Sequence, residues 1–159
     1  MLVKDIMVKE VVTLKLDETL KEAALKFSKN NISGAPVIDD EGKVIGILSE
    51  TDIVTTLERN LKELKMVHLF PELSMVGLSF VETPSDKKTE EIFEEVGDIK
   101  ISEMMKRSVK TVGPDDQIKA VIDIVASGKI NRVPVVEDGK LIGIVTRGDI
   151  IKGMSRLVK

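Results

Sequence analysis

Residues 3–53 recur as residues 101–150, and a chain of 159 residues that contains one unit twice has few ways to fold. The stretch from Asp17-Glu18-Thr19-Leu20-Lys21 to Ala35-Pro36-Val37-Ile38-Asp39 returns from Asp115-Asp116-Gln117-Ile118-Lys119 to Val133-Pro134-Val135-Val136-Glu137. The endings match too: Gly42-Lys43-Val44-Ile45-Gly46-Ile47-Leu48-Ser49-Glu50-Thr51-Asp52-Ile53 against Gly139-Lys140-Leu141-Ile142-Gly143-Ile144-Val145-Thr146-Arg147-Gly148-Asp149-Ile150. One gap near Glu41 aligns the two.

Each copy carries the same local signals. Asp17 and Asp115 are N-cap candidates, followed by Leu20, Ala23, Ala24, Phe27 and by Ile118, Val121, Ile122, Val125 at helical spacing, which predicts two core stripes. A short apolar strand through Pro36 or Pro134, an acidic Gly-containing turn and a β-branched run predict a hairpin, and a helix opens at Ser49 or Thr146. With Val11–Leu14 and Val109–Val112 as leading strands, the unit reads β-α-β-β-α. The class is α+β, with alternating elements of α/β type. A unit of about 50 residues buries too little surface to stand alone, so two copies are expected to pack about a pseudo-twofold axis with clefts beside it.

The division expected is residues 1–58 for the first copy, 59–98 for a partly helical insert and 99–159 for the second. Leu57, Leu61 and Leu64 extend the helix begun near Ser49, and Pro84-Ser85-Asp86 precedes a short acidic helix around Glu90–Val96. Between them Met66, Leu69, Phe70, Leu73, Met75, Val76, Leu78, Phe80 and Val81 are too apolar for a solvated linker. Such a segment covers part of the shared core, caps a cleft or forms a subunit interface.

Composition removes several chemistries. There is no cysteine, and His68 is the only histidine, so thiolate and multi-histidine metal sites and cysteine nucleophiles are excluded. His68, between Val67 and Leu69, reads as a packed or surface side chain rather than a base. Basic residues number 24 against 27 acidic ones, giving a net charge of −3 and no basic face for nucleic acid. The N-terminus has an acid within its first five residues and no long apolar run, which predicts a cytoplasmic protein without a membrane span. Phosphate-loop, dinucleotide-binding and nucleophile-elbow motifs are missing from the sequence, so no catalytic residue, metal or catalytic cofactor is assigned.

What remains is a paired motif, Ser49-x-x-Asp52 and Thr146-x-x-Asp149, each following a buried-type strand and opening a helix. It reads as a capping box, in which hydroxyl and acid satisfy orphan backbone donors. It also reads as a ligand site, because a helix N-terminus accepts phosphate or ribose oxygens and a carboxylate accepts both hydrogen bonds of a ribose diol.

The Ala35-Pro36-Val37-Ile38-Asp39 and Asn131-Arg132-Val133-Pro134-Val135-Val136 segments, with the Gly-hydrophobic-hydrophobic-Ser/Thr-x-x-Asp endings, resemble the CBS domain, named after cystathionine β-synthase, in the tandem form called a Bateman module. The resemblance implies a regulatory module that takes AMP, ADP, ATP or S-adenosylmethionine between the copies, and a homodimer of pairs. It makes Asp52 and Asp149 the ribose acceptors, assisted by Ser49 and Thr146. It further implies that the Asp52 cleft draws on Thr111, Val112, Asn131, Arg132 and Val133, and the Asp149 cleft on Thr13, Leu14, Ser33, Gly34 and Ala35. Arg132 matches a phosphate-contacting arginine of the family, whereas its counterpart Gly34 carries no charge, leaving Arg147 as the nearby substitute. Unequal sites are expected, the Asp52 cleft preferring phosphorylated ligands. The competing expectation is a ligand-free module whose apolar insert binds a protein partner.

Overall fold

A computed structural model describes residues 1–69 and 86–156. A 3-10 turn at Val3–Asp5 precedes α1 (Leu20–Asn30), β1 (Gly34–Ile38), β2 (Val44–Ser49) and α2 (Glu50–Leu69). Then come α3 (Asp86–Gly97), α4 (Ile101–Met104), α5 (Ile118–Val125), β3 (Arg132–Glu137), β4 (Lys140–Thr146) and α6 (Arg147–Ser155). The predicted helical insert is thus present as the continuation of α2 and as α3. The apolar run 70–81, and the environment of the His68 side chain, lie outside the described residues.

Both predicted hairpins form, with Pro36 opposite Ile47 and Pro134 opposite Ile144. A proline donates nothing to a ladder and is confined to edge strands, which a two-stranded sheet always provides. The second turn is the two-residue Asp138-Gly139, with φ of 49° and 78°, the left-handed pair that matches strand twist. In the longer first turn, Asp39 Oδ1 accepts the Glu41 and Lys43 N–H groups, both at 2.9 Å.

Three expectations are corrected. The leading strands Val11–Leu14 and Val109–Val112 shrink to single parallel bridges, Leu14 to Val37 and Val112 to Val135. Only Leu14 and Val112 reach the ladder; the carbonyl of Thr13 instead accepts the Lys26 ammonium at 3.0 Å. Nor do Asp17 and Asp115 cap the helices. Thr19 caps α1 in a reciprocal box with Glu22, and Gln117 precedes α5 without a side-chain bond. Asp115 pairs with Lys4 at 2.6 Å instead. The core stripes are also narrower than the period suggests. Leu20, Ala23 and Phe27 are buried on α1 and Val121 and Val125 on α5, while Ala24 and Ile122 face outward.

The cores show why neither copy is self-sufficient. One contains Leu14, Phe27, Val37 and Leu48 together with Val96, Ile101, Met104 and Met105; the other contains Val112, Val121, Val135 and Val145 together with Val3, Ile6 and Met7. Each copy therefore sends its opening segment into the core of the other. Backbone bonds follow the same exchange. The first N–H of α1 donates to the Ile99 carbonyl at 2.9 Å, and that of α5 to the Met1 carbonyl at 3.2 Å, satisfying donors at each helix start from the other copy's opening segment. Lys106 exchanges two bonds of 2.9 Å with Ile47, and Val8 exchanges two of 2.9 Å with Ile144. These matched pairs are the pseudo-twofold relation in hydrogen-bond form. Among the described residues no helix is long and apolar enough to cross a membrane.

Candidate functional site

The two Ser/Thr-x-x-Asp motifs sit where a strand turns directly into a helix, and both adopt one geometry. Ser49 N–H and Oγ–H donate to Asp52 Oδ2 at 2.8 and 2.6 Å, and Asp52 N–H lies 3.4 Å from Ser49 Oγ. Thr146 and Asp149 repeat those distances. Each acid therefore uses one carboxylate oxygen to cap its helix and leaves the other outside the cap.

The strands bring the pre-proline segments alongside. Gly34 pairs with Ser49 across the first hairpin and Arg132 with Thr146 across the second. The segments then meet each other, because Arg132 Nη2 donates to Ser33 Oγ at 2.6 Å. Its guanidinium lies so close over Gly34 that a Cβ there would coincide with Nη1 and sit 2.6 Å from the Leu48 carbonyl oxygen. Only glycine fits beneath the arginine. Ser33 and Gly34, assigned to the Asp149 cleft in sequence, thus stand against Arg132, assigned to the Asp52 cleft.

Arg132 is only 9% exposed, and its Nη1 is buried without a partner. Burial pulls its pKa below that of an ordinary arginine, while the carboxylates of Glu50 and Asp52 act in the opposite direction. A guanidinium held dry with one donor set unmet is poised for an anion or acceptor oxygen.

Other predicted residues serve the scaffold. Leu14, Ala35 and Val133 are fully buried and Val112 nearly so, and their side chains belong to the two cores. Thr13 is partly buried, and Thr111 and Asn131 are exposed. The carbonyls of Ser33 and Asn131 accept the Glu50 and Arg147 N–H groups at 3.0 and 3.3 Å, fixing each loop to a helix start. Arg147 donates to the Val125 carbonyl at 3.2 Å on its own copy.

Sequence reasoning missed Lys106. Its Nζ lies 3.1 Å from Asp52 Oδ1, with the lysine 61% and the aspartate 10% exposed. With its lysine in solvent, such a pair contributes about 0.2–1 kcal/mol and yields readily to a competing ligand. The repeat alignment carried the signal, since Lys106 faces Val8 at the equivalent position.

A family model for the CBS domain matches residues 3–59 and 96–156. The chain belongs to the CBS-domain family. It is 39% identical over 160 residues to an uncharacterized protein of Methanocaldococcus jannaschii, MJ1426, covering 97% of this chain and 91% of that one. It spans less than half the length of several further curated relatives. The CBS domain pair of protein MJ0100, solved with 5-methylthioadenosine and S-adenosyl-L-methionine, aligns with a TM-score of 0.70 at 27% identity over 99% of this chain and 98% of that one. CBSX2, solved with AMP, shares the fold with a TM-score of 0.71 at 21% identity over 99% and 98% of the two chains. The chain is thus a tandem CBS pair whose two copies, helical and stranded in alternation, form the α+β architecture expected from the repeat.

Proposed function

We propose that this CBS pair is a non-catalytic regulatory module that binds an adenine-based ligand, AMP, ADP, ATP or S-adenosylmethionine, between its two copies. The observation that carries the reading is Arg132, nine-tenths buried, with an unpartnered Nη1, held against Ser33 of the other copy and favoured in its charge by the carboxylates of Glu50 and Asp52. A charge in that setting is costly unless an anion or acceptor completes it. The adenine ligands of the 27%-identical CBS pair support the class of molecule. In this reading Asp52 and Asp149 accept ribose hydroxyls through the oxygen turned away from the cap. Ser49 and Thr146 hold them, and the loops around Thr13, Ser33, Thr111 and Asn131 frame the clefts. A ligand bridging the copies changes how they pack, and a coupling of about 1–3 kcal/mol suffices for a sensor.

A homodimer in the cytoplasm belongs to the same reading. Val54 on α2 and Ile151 and Met154 on α6 are exposed apolar side chains that a second copy would cover.

The test is calorimetric titration of nucleotide-stripped protein with each of the four ligands, repeated on Asp52→Ala and Asp149→Ala. Micromolar binding of one ligand, abolished by one of the substitutions, is the expected result. If all four fail on folded protein, the two motifs are helix caps alone, and the module works through a protein partner.

A further inference from the structure

We infer that Lys106 is a specificity-determining residue that makes the Asp52 cleft select 5′-phosphorylated adenine nucleosides over unphosphorylated ones. The inference rests on the nucleotide reading above and adds to it a residue and a discrimination. A ribose diol offers two hydroxyl donors, which the two lone pairs of the carboxylate oxygen not engaged by the cap can accept. At Asp52 one oxygen holds Ser49, and the other lies 3.1 Å from the Lys106 ammonium. A neutral nucleoside has to expel that ammonium and gives it nothing in return. A nucleoside monophosphate expels it and supplies a new anion within the sweep of its flexible four-carbon stem. The stem pivots on a fixed base, because the Lys106 N–H and carbonyl are both bonded to Ile47 at 2.9 Å. Lys106 from the second copy pairs with Asp52 of the first, and Arg132 from the second copy is acted on by the carboxylates of Glu50 and Asp52.

The Asp149 cleft provides the internal comparison. Val8 makes there the backbone bonds that Lys106 makes with Ile47, and Gly34 stands in the place of Arg132. No cation pairs with Asp149 among the described residues. Identical caps thus differ in their ion pairing, and only at Asp52 does a bound ribose displace a lysine ammonium that a phosphate can then receive.

The experiment titrates AMP and adenosine, in an Asp149→Ala background that silences the second cleft, into protein with and without Lys106→Met. Thermal unfolding verifies that each variant is folded. The AMP-over-adenosine preference is expected to fall about tenfold in the Lys106→Met protein, the worth of one charge-assisted contact, through loss of AMP affinity while adenosine binds as well or better. The preference should also become less sensitive to salt. An unchanged preference, or equal loss for both ligands, would overturn the role of Lys106 and leave the nucleotide reading standing. Binding of neither ligand to folded protein retaining Lys106 would overturn both.

Discussion

At the scale of single residues, Arg132 and Gly34 act as one unit. The glycine is required by close approach: any side chain would collide with the guanidinium and crowd the Leu48 carbonyl. The arginine bears a standing penalty, since burial lowers its pKa relative to the unfolded chain. A base with a lowered folded pKa destabilises the fold wherever it is charged, here throughout the accessible pH range, so pH does not relieve it but a bound anion does. Arg132→Met is therefore expected to raise the stability of the ligand-free protein by about 1 kcal/mol, an increase in Tm of about 2–4 °C for a chain of this size. Differential scanning calorimetry without nucleotide checks this, and a fall in Tm would mean that the Ser33 bond outweighs the desolvation. A sequence shows that an arginine precedes Val133-Pro134. It does not show that the side chain crosses to the other copy, because that contact spans 99 residues and depends on how the hairpins meet.

At the scale of elements, the two strand-to-helix junctions are alike in hydrogen bonds and unlike in charge. Asp149→Ala removes a cap and is expected to cost about 1 kcal/mol. Asp52→Ala removes the same cap together with the partner of Lys106 and a carboxylate that favours the charge on Arg132, so its cost should be larger. In a double-mutant cycle, Arg132→Met should reduce the penalty of Asp52→Ala by about 0.5–3 kcal/mol and leave that of Asp149→Ala unchanged. Urea unfolding of the six proteins measures both, and equal couplings would refute the asymmetry. Hairpins and capping boxes were legible because their signals are local: alternation, turn residues and a three-residue spacing. The aspartate caps were misread for the converse reason. At α1 the Thr19–Glu22 box outcompetes Asp17, and at α5 the donor is met by the Met1 carbonyl, from the far end of the chain.

At the scale of the molecule, the exchange of opening segments predicts that damage appears in the wrong copy. Ile101 is fully buried, and although it opens the second repeat in sequence it packs in the first core. Ile101→Ala should cost about 2–5 kcal/mol and reduce hydrogen-exchange protection first in β1 and β2. Val3→Ala should do the same, with smaller effect, in β3 and β4. Loss of protection confined to the sequence-adjacent copy in either variant would refute the exchange. Periodicity, turn residues and a repeat are properties of neighbouring positions, so the sequence by itself determined the two hairpin units, their helices, their family and the paired acids. Which segment fills which core, that Arg132 covers Gly34, and that Lys106 rather than Arg147 brings a cation to an acid were decided only by the tertiary structure. Each is a contact between residues far apart in the chain, chosen by packing and charge after the copies come together.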